Sequence, residues 1–266
     1  MDFLTYYGLS DNPFDQESVH LIETMDYQEM THRLDYLKQT RGIGLFTGRP
    51  GVGKTTILRH YLQTLTSHRY QVFYLPITTI SANEFYKLFA ESLGLEASGR
   101  KSLNFKAIQA RLSELYEMER TLPIIVIDEA QHLQGSVFNE LVLLMNFEMD
   151  SVKRCVLILS GLNPMVQLLN RAQYEAFRQR VVTHYEVIGL EADEVSGYVT
   201  QKLNAVGVKA TLFHDSALQD IAKHSGASLR QVDKLVTHCL KIGAIKNHRQ
   251  IDSTIVYAAA QEILLA

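Results

Sequence analysis

Residues 43 to 56 read Ile-Gly-Leu-Phe-Thr-Gly-Arg-Pro-Gly-Val-Gly-Lys-Thr-Thr. An apolar run comes first, then a loop with glycines at 48, 51 and 53. Lys54-Thr55 then opens a helical spacing of Ile57, Leu58, Tyr61 and Leu62. A polyphosphate is held by successive backbone N–H groups, which turn inward together only where the chain wraps closely around it. Glycine permits that wrap, and Gly48 and Gly53 bracket the gap of a Gly-x-x-x-x-Gly-Lys-Thr pattern. Lys54 is placed to reach the outer phosphates and the Thr55 hydroxyl to ligate Mg²⁺. Strand, glycine loop and helix in that order predict an ATP site formed by Gly48, Arg49, Pro50, Gly51, Val52, Gly53, Lys54, Thr55 and Thr56.

Outward from this loop, strand alternates with helix. A helix pattern over about Tyr27 to Lys38 precedes it, and before that lies an aromatic, turn-rich opening, Tyr6 to Phe14, expected to be an ordered arm. After it come a strand over Gln71 to Pro76, a helix over 81 to 95, a break at 97 to 101 and a helix over Phe105 to Glu117. Pro123 to Ile127 is an apolar run that ends in Asp128-Glu129, as expected of a strand buried on both faces with its functional residues at the C-terminal end. Beside a phosphate loop, Asp128 is expected to hold the Mg²⁺ shell and Glu129 to polarise the attacking water.

A fourth strand, Val156 to Ser160, leads into Gly161-Leu162-Asn163-Pro164, where Ser160 or Asn163 is a candidate to present a polar side chain to the γ-phosphate, and a plain turn is the alternative reading of Asn163-Pro164. Arg171, Arg178 and Arg180 lie on a short helical stretch before a fifth strand, Val181 to Ile188. From Gly189 onward every pattern is helical, and the domain boundary is placed there: 1–188 for the nucleotide-binding α/β domain with its N-terminal arm, 189–266 for a helical domain.

Composition narrows the function classes. With 46% hydrophobic residues, 5 Pro and 15 Gly, the chain is expected to be globular, without a disordered linker. Its apolar runs are too short to cross a bilayer and its start lacks a signal peptide's pattern, so a cytoplasmic location without membrane partners is expected. The two cysteines, Cys155 and Cys239, and the ten histidines have no metal-ligand spacing. A net charge of −3 means that any DNA contact must come from a local patch or from a surface shared between subunits.

The loop at 48–55, Asp128-Glu129 and the later Gly226-Ala227-Ser228-Leu229-Arg230 together resemble an AAA+ ATPase over nearly the whole chain. That resemblance implies an αβα sandwich whose parallel five-stranded sheet has the order 5-1-4-3-2, followed by a small helical lid. It also implies a lid arginine at the γ-phosphate, matched by Arg230, and an arginine acting in trans on a neighbouring subunit's ATP, matched by Arg180 with Arg178 as the alternative.

More narrowly, Tyr-Tyr-Gly-Leu-Ser-x-Asn-Pro-Phe, Asp-Glu-Ala-Gln-His-Leu and Gly-Ala-Ser-Leu-Arg are similar to two groups. One is the general-secretion A type of ATPase. The other comprises the ATP-binding helpers of DDE transposases, such as the Mu B, TnsC and IstB proteins. Secretion members continue into a membrane segment and this sequence stops at Ala266, so the transposition helper is the expected function: an ATPase that oligomerises on duplex DNA as a ring or helical filament and recruits a transposase. The alternative is a secretion or assembly ATPase that acts on a protein partner without touching DNA. By analogy with the helpers, the DNA-contacting residues are expected after strand two, at Lys87, Arg100, Lys101 and Lys106.

Overall fold

The computed structural model describes residues 2–15, 21–76, 81–208 and 211–264. It divides into two compact units: Glu29–Arg49 with Lys54–Val187, and Met1–Gln28 with Pro50–Gly53 and Ile188–Ala266.

In chain order the elements are α1 (Phe3–Tyr7), α2 (Met25–Thr40), β1 (Gly42–Gly48), α3 (Lys54–Gln63), β2 (Tyr70–Leu75), α4 (Ala82–Ser92), α5 (Lys101–Glu117) and β3 (Leu122–Ile127). These are followed by α6 (Gly135–Leu144), β4 (Val156–Gly161), α7 (Pro164–Leu169), α8 (Glu175–Arg178), β5 (Val181–Val187), α9 (Glu194–Ala205), α10 (Asp215–Ser225), α11 (Leu229–Ile245) and α12 (Ser253–Leu264).

The first unit is built on a five-stranded sheet in the order β2-β3-β4-β1-β5, parallel at every pairing. Read from the other edge, this is the order 5-1-4-3-2 expected from the sequence. The central strands β1 and β4 are buried along their whole length. The edge strand β2 instead alternates, with Phe73 and Leu75 buried on one face and Val72 and Tyr74 exposed on the other.

Strand side chains alternate between faces, and each face has its own helices. Ile43, Leu45, Ile125, Ile127, Leu157 and Leu159 share one core with Phe85 and Phe89 of α4, Ile108 and Leu112 of α5 and Phe138 and Leu141 of α6. Phe138 meets Tyr174 and Phe177 edge-on at 5.8 and 5.3 Å between ring centres. Toward the other face the sheet must be thin: a Cβ on Gly44 would lie 2.4 Å from Leu37 Cδ2 of α2. Each buried Leu, Ile or Phe contributes about 1.5–3 kcal/mol. Two helix starts hold this layer in register. Ser81 and Glu84 form a reciprocal capping box at α4. Before α5 the buried Asn104 side chain bonds both the N–H and the carbonyl of Ser98. That helix begins at Lys101, earlier than expected at Phe105, because Arg100 caps it through backbone geometry alone, with no capping side chain to announce it.

The second unit is helical. Leu190, Val195, Val199, Ile221, Val232, Val236, Leu240 and Val256 form its core, and Tyr7, Leu9 and Phe14 of the opening arm are buried in the same cluster. Tyr7 donates to the His248 carbonyl at 2.7 Å. The arm is thus ordered by aromatic burial against helices that come more than 180 residues later, so it packs in the helical unit although the sequence places it beside the α/β domain. Cys155 and Cys239 are buried free thiols, each pushed up to about 12 by burial, which makes them unreactive packing groups.

Candidate nucleotide-binding site

The loop between β1 and α3 lies at the C-terminal ends of the parallel strands, where open α/β sheets bind ligands. Lys54 is buried, and its ammonium donates to the carbonyls of Gly48 at 3.0 Å and Arg49 at 2.9 Å. The next residue reaches the neighbouring strand end, since Thr55 Oγ1 donates to Asp128 Oδ2 at 2.7 Å. The second oxygen of Asp128, Oδ1, accepts the N–H of Glu129 at 2.9 Å. The structure therefore brings Thr55 and Asp128 together, a hydroxyl and a carboxylate of the hard-oxygen kind that Mg²⁺ takes alongside substrate phosphates and water.

Glu129 is exposed and left-handed, at φ 54° and ψ 35°, a conformation that costs a non-glycine residue about 1–2 kcal/mol. Its Oε2 accepts from Gln131 Nε2 at 2.6 Å. Gln131 Oε1 in turn accepts the N–H of Leu162, just past β4, at 3.0 Å. Tyr74 lies near the same acids: burial first, and then the charges of Asp128 and Glu129, hold its phenol above the ordinary range.

Ser160 and Asn163 both lie at the β4 end. Ser160 is fully buried, and its hydroxyl has no hydrogen-bond partner among the described residues. Asn163 donates from Nδ2 to Glu186 at 2.6 Å, while its Oδ1 is buried without a partner. A buried polar atom left unmatched costs about 1–3 kcal/mol, so the Ser160 hydroxyl favours an acceptor beyond β4, as a nucleotide phosphate would be, whereas Asn163 Oδ1 calls for a donor.

The arginines differ in how they are held. Arg178 Nη1 donates to the carbonyls of Leu169 and Arg171 after α7, a use that caps a helix end. Arg180 donates to the Ala176 carbonyl at 3.0 Å and pairs with Asp150 at 2.7 Å. In the helical unit, which includes Pro50–Gly53, the Arg230 N–H donates to the Gly51 carbonyl at 3.1 Å. A Cβ on Gly51, at φ 78°, would lie 2.5 Å from Ser228 Oγ and 3.0 Å from Arg230 Cβ. Glycine is thus required at 51 for both conformation and space, and the exposed Arg230 is anchored against the loop by its own backbone.

Of the basic residues after β2, Arg100, Lys101 and Lys106 are exposed and Lys87 is half-buried. Lys101 is engaged by Glu140 at 2.5 Å and lies over the Tyr86 ring. The residue that sequence reasoning missed is Gln131. It was visible only as a letter within Asp-Glu-Ala-Gln-His-Leu, because its second partner comes from another strand end.

A family model described as an AAA domain matches residues 37–169. The chain belongs to the AAA+ family. General secretion pathway protein A of Aeromonas hydrophila is 26% identical over 267 residues, which are 98% of this chain and 48% of that protein. ATP-dependent target DNA activator B of Escherichia phage Mu is 31% identical over 142 residues, 52% of this chain and 41% of that protein. The chain therefore spans about half the length, or less, of these curated relatives. Among solved structures, Cdc6p from Pyrobaculum aerophilum superposes with a TM-score of 0.73 at 18% identity, covering 96% of this chain and 71% of that one, a likeness of fold. Membership of the AAA+ family implies nucleotide binding. No helix of the described residues is long and apolar enough to cross a membrane.

Proposed function

We propose that this chain is a Mg²⁺-dependent ATPase that oligomerises on duplex DNA and acts as a transposition helper, recruiting or stimulating a transposase. The observation that carries the catalytic part is the Thr55–Asp128 contact at 2.7 Å with Glu129 next in sequence. Thr55 and Asp128 would hold Mg²⁺, which when bound neutralises charge on the phosphates. Lys54 and the loop N–H groups bind and orient the phosphates, and Ser160 or Asn163 donates to the γ-phosphoryl group. Glu129 draws a proton from the attacking water as its oxygen bonds to the γ-phosphorus and the bridging P–O bond breaks, releasing ADP and phosphate. Arg230 contributes from the lid.

Arg180 is the better candidate for acting in trans, since its pair with Asp150 is an exposed one of the kind worth about 0–1 kcal/mol and is readily exchanged. The Arg178 contacts are to backbone. The likeness to the phage activator supports the DNA part. Arg100 and Lys101 also stand at the start of the long helix α5, where the positive end of the helix dipole favours phosphate.

Fluorescence anisotropy with duplex DNA in ATP, ADP and a slowly hydrolysed analogue across a salt series tests this reading. Binding is expected to require ATP, to tolerate most sequences and to weaken as salt rises. Neutralising Arg100 and Lys106 together is expected to weaken it uniformly and flatten the salt slope. The second reading, an ATPase acting on a protein partner in secretion or assembly, is favoured by the match to protein A over 98% of the chain. ATP turnover without ATP-dependent DNA binding at low salt would select it.

A further inference from the structure

Gln131 joins Glu129 to the end of β4 through one side chain. Its amide is fixed in one orientation, because a carboxylate only accepts and a backbone N–H only donates. Nε2 must therefore face Glu129, at 2.6 Å, and Oε1 must face Leu162 N–H, at 3.0 Å. The neighbouring strand leaves room for this bridge by lacking a side chain: a Cβ on Gly161 would lie 2.8 Å from Gln131 Oε1 and 3.1 Å from Met165 Cε. Glu129 itself is held in a strained left-handed backbone with an exposed side chain, so its carboxylate has few other restraints.

We infer that Gln131 is a positioning residue that fixes the Glu129 carboxylate and ties its placement to the chain just beyond Ser160. This rests on the proposed hydrolytic role of Glu129. Any shift of Leu162 when Ser160 or Asn163 engages a phosphate pulls on the same amide, so Glu129 responds to the state of the β4 end.

Three variants separate the two bonds. Gln131→Ala removes both. Gln131→Glu keeps an acceptor for Leu162 but puts a like charge beside Glu129. Gly161→Ala crowds the amide out without altering it. The readouts are kcat and KM for ATP from pH 5 to 9, and hydrogen exchange at the Leu162 amide in the full chain.

Gln131→Ala is expected to speed exchange at Leu162 and to lower kcat about tenfold to a hundredfold, the cost of a loosely placed catalytic group, with KM within about twofold. Gln131→Glu is expected to leave Leu162 protected while lowering kcat about as far as Gln131→Ala does, because a carboxylate at 131 repels rather than holds Glu129. Gly161→Ala should resemble Gln131→Ala in both readouts. Unchanged exchange in Gln131→Ala would overturn the bridge. Faster exchange with unaltered kcat would overturn the coupling, while loss of turnover in Glu129→Gln would leave the ATPase reading standing. A wild-type chain that binds ATP without hydrolysing it would overturn the hydrolytic reading and the positioning role together, whatever the exchange shows.

Discussion

Asp128 at the end of β3 and Asp233 on α11 each take a carboxylate largely out of water, and their partners are of opposite kinds. Asp128 accepts from two neutral donors, the Thr55 hydroxyl and the Glu129 N–H. Asp233 accepts from the Tyr198 hydroxyl at 2.8 Å and from the Lys202 ammonium at 3.3 Å, with the rings of Phe14 and Tyr198 at 5.5 and 5.1 Å from that ammonium. Burial pushes the Asp233 carboxyl up and the Lys202 ammonium down, each against the pull of the other. In the helical unit the charge is balanced within the chain, and the group serves packing. In the α/β unit the carboxylate is oriented by two neutral donors.

The largest effects should come from the oriented site. Lys54→Ala is expected to abolish ATP binding. Glu129→Gln is expected to retain binding and to lose turnover by up to about 10⁴-fold, the upper range for a general base. Isothermal titration beside a phosphate-release assay checks both, and near-normal hydrolysis by Glu129→Gln would erase the distinction drawn for the β3 end. Next in size is Arg180→Ala, with turnover down about 10³-fold if it acts in trans and nucleotide affinity of isolated subunits kept. Turnover of the wild-type chain should rise faster than linearly with concentration, and a fully active monomer would reject the assignment.

Lys202→Met tests the other side of the comparison. It leaves Asp233 without its cation and is expected to destabilise the helical unit by about 3 kcal/mol. Adding Asp233→Leu should recover most of that, since a pair balanced within the chain can be replaced by apolar groups of similar size. Denaturant melts of the three proteins decide it. A double variant as unstable as the single one would mean that the pair does more than fill space.

Local features of the sequence were legible and long-range partnerships were not. The glycine loop from Gly48 to Gly53, the Lys54-Thr55 helix start and the Ile124–Ile127 run into Asp128 follow from spacing within a few residues, and the structure brings Thr55 to Asp128. The order of the sheet came through family resemblance, because parallel strands joined by helices carry no local sign of which neighbour they pair with. Tyr7, Leu9 and Phe14 read as an ordered arm, but the helices that bury them lie in the last third of the chain. Lys101 read as a DNA-contacting charge, and the fold sets Glu140 beside it. Gln131 needed Leu162, which is 31 residues away.

The smallest expected effect is a titration within the α/β sheet. His184 on β5 lies with Nε2 3.0 Å from the hydroxyl of the buried Thr47, the residue before the phosphate loop. Burial holds the imidazole below its ordinary value; Glu186 pulls it up and Arg33, whose guanidinium bonds the His184 carbonyl at 3.1 Å, pushes it down. A depressed folded value means that above pH 6.5 both folded and unfolded chains hold a neutral His184, and stability is unaffected. As pH falls below 6.5 the unfolded chain takes up a proton that the folded one resists. Stability is then lost until the folded value is passed, where the loss levels off. Because His184 is exposed, solvent screening should keep the loss below about 1 kcal/mol. His184→Gln keeps a partner for Thr47 and removes the titration. Urea melts at pH 7.5 and 5.5 should therefore show a wild-type loss larger than that of the variant by this amount. Equal losses would mean that the imidazole is solvated enough to titrate normally, and that among these groups only Asp233 and Lys202 feel their burial.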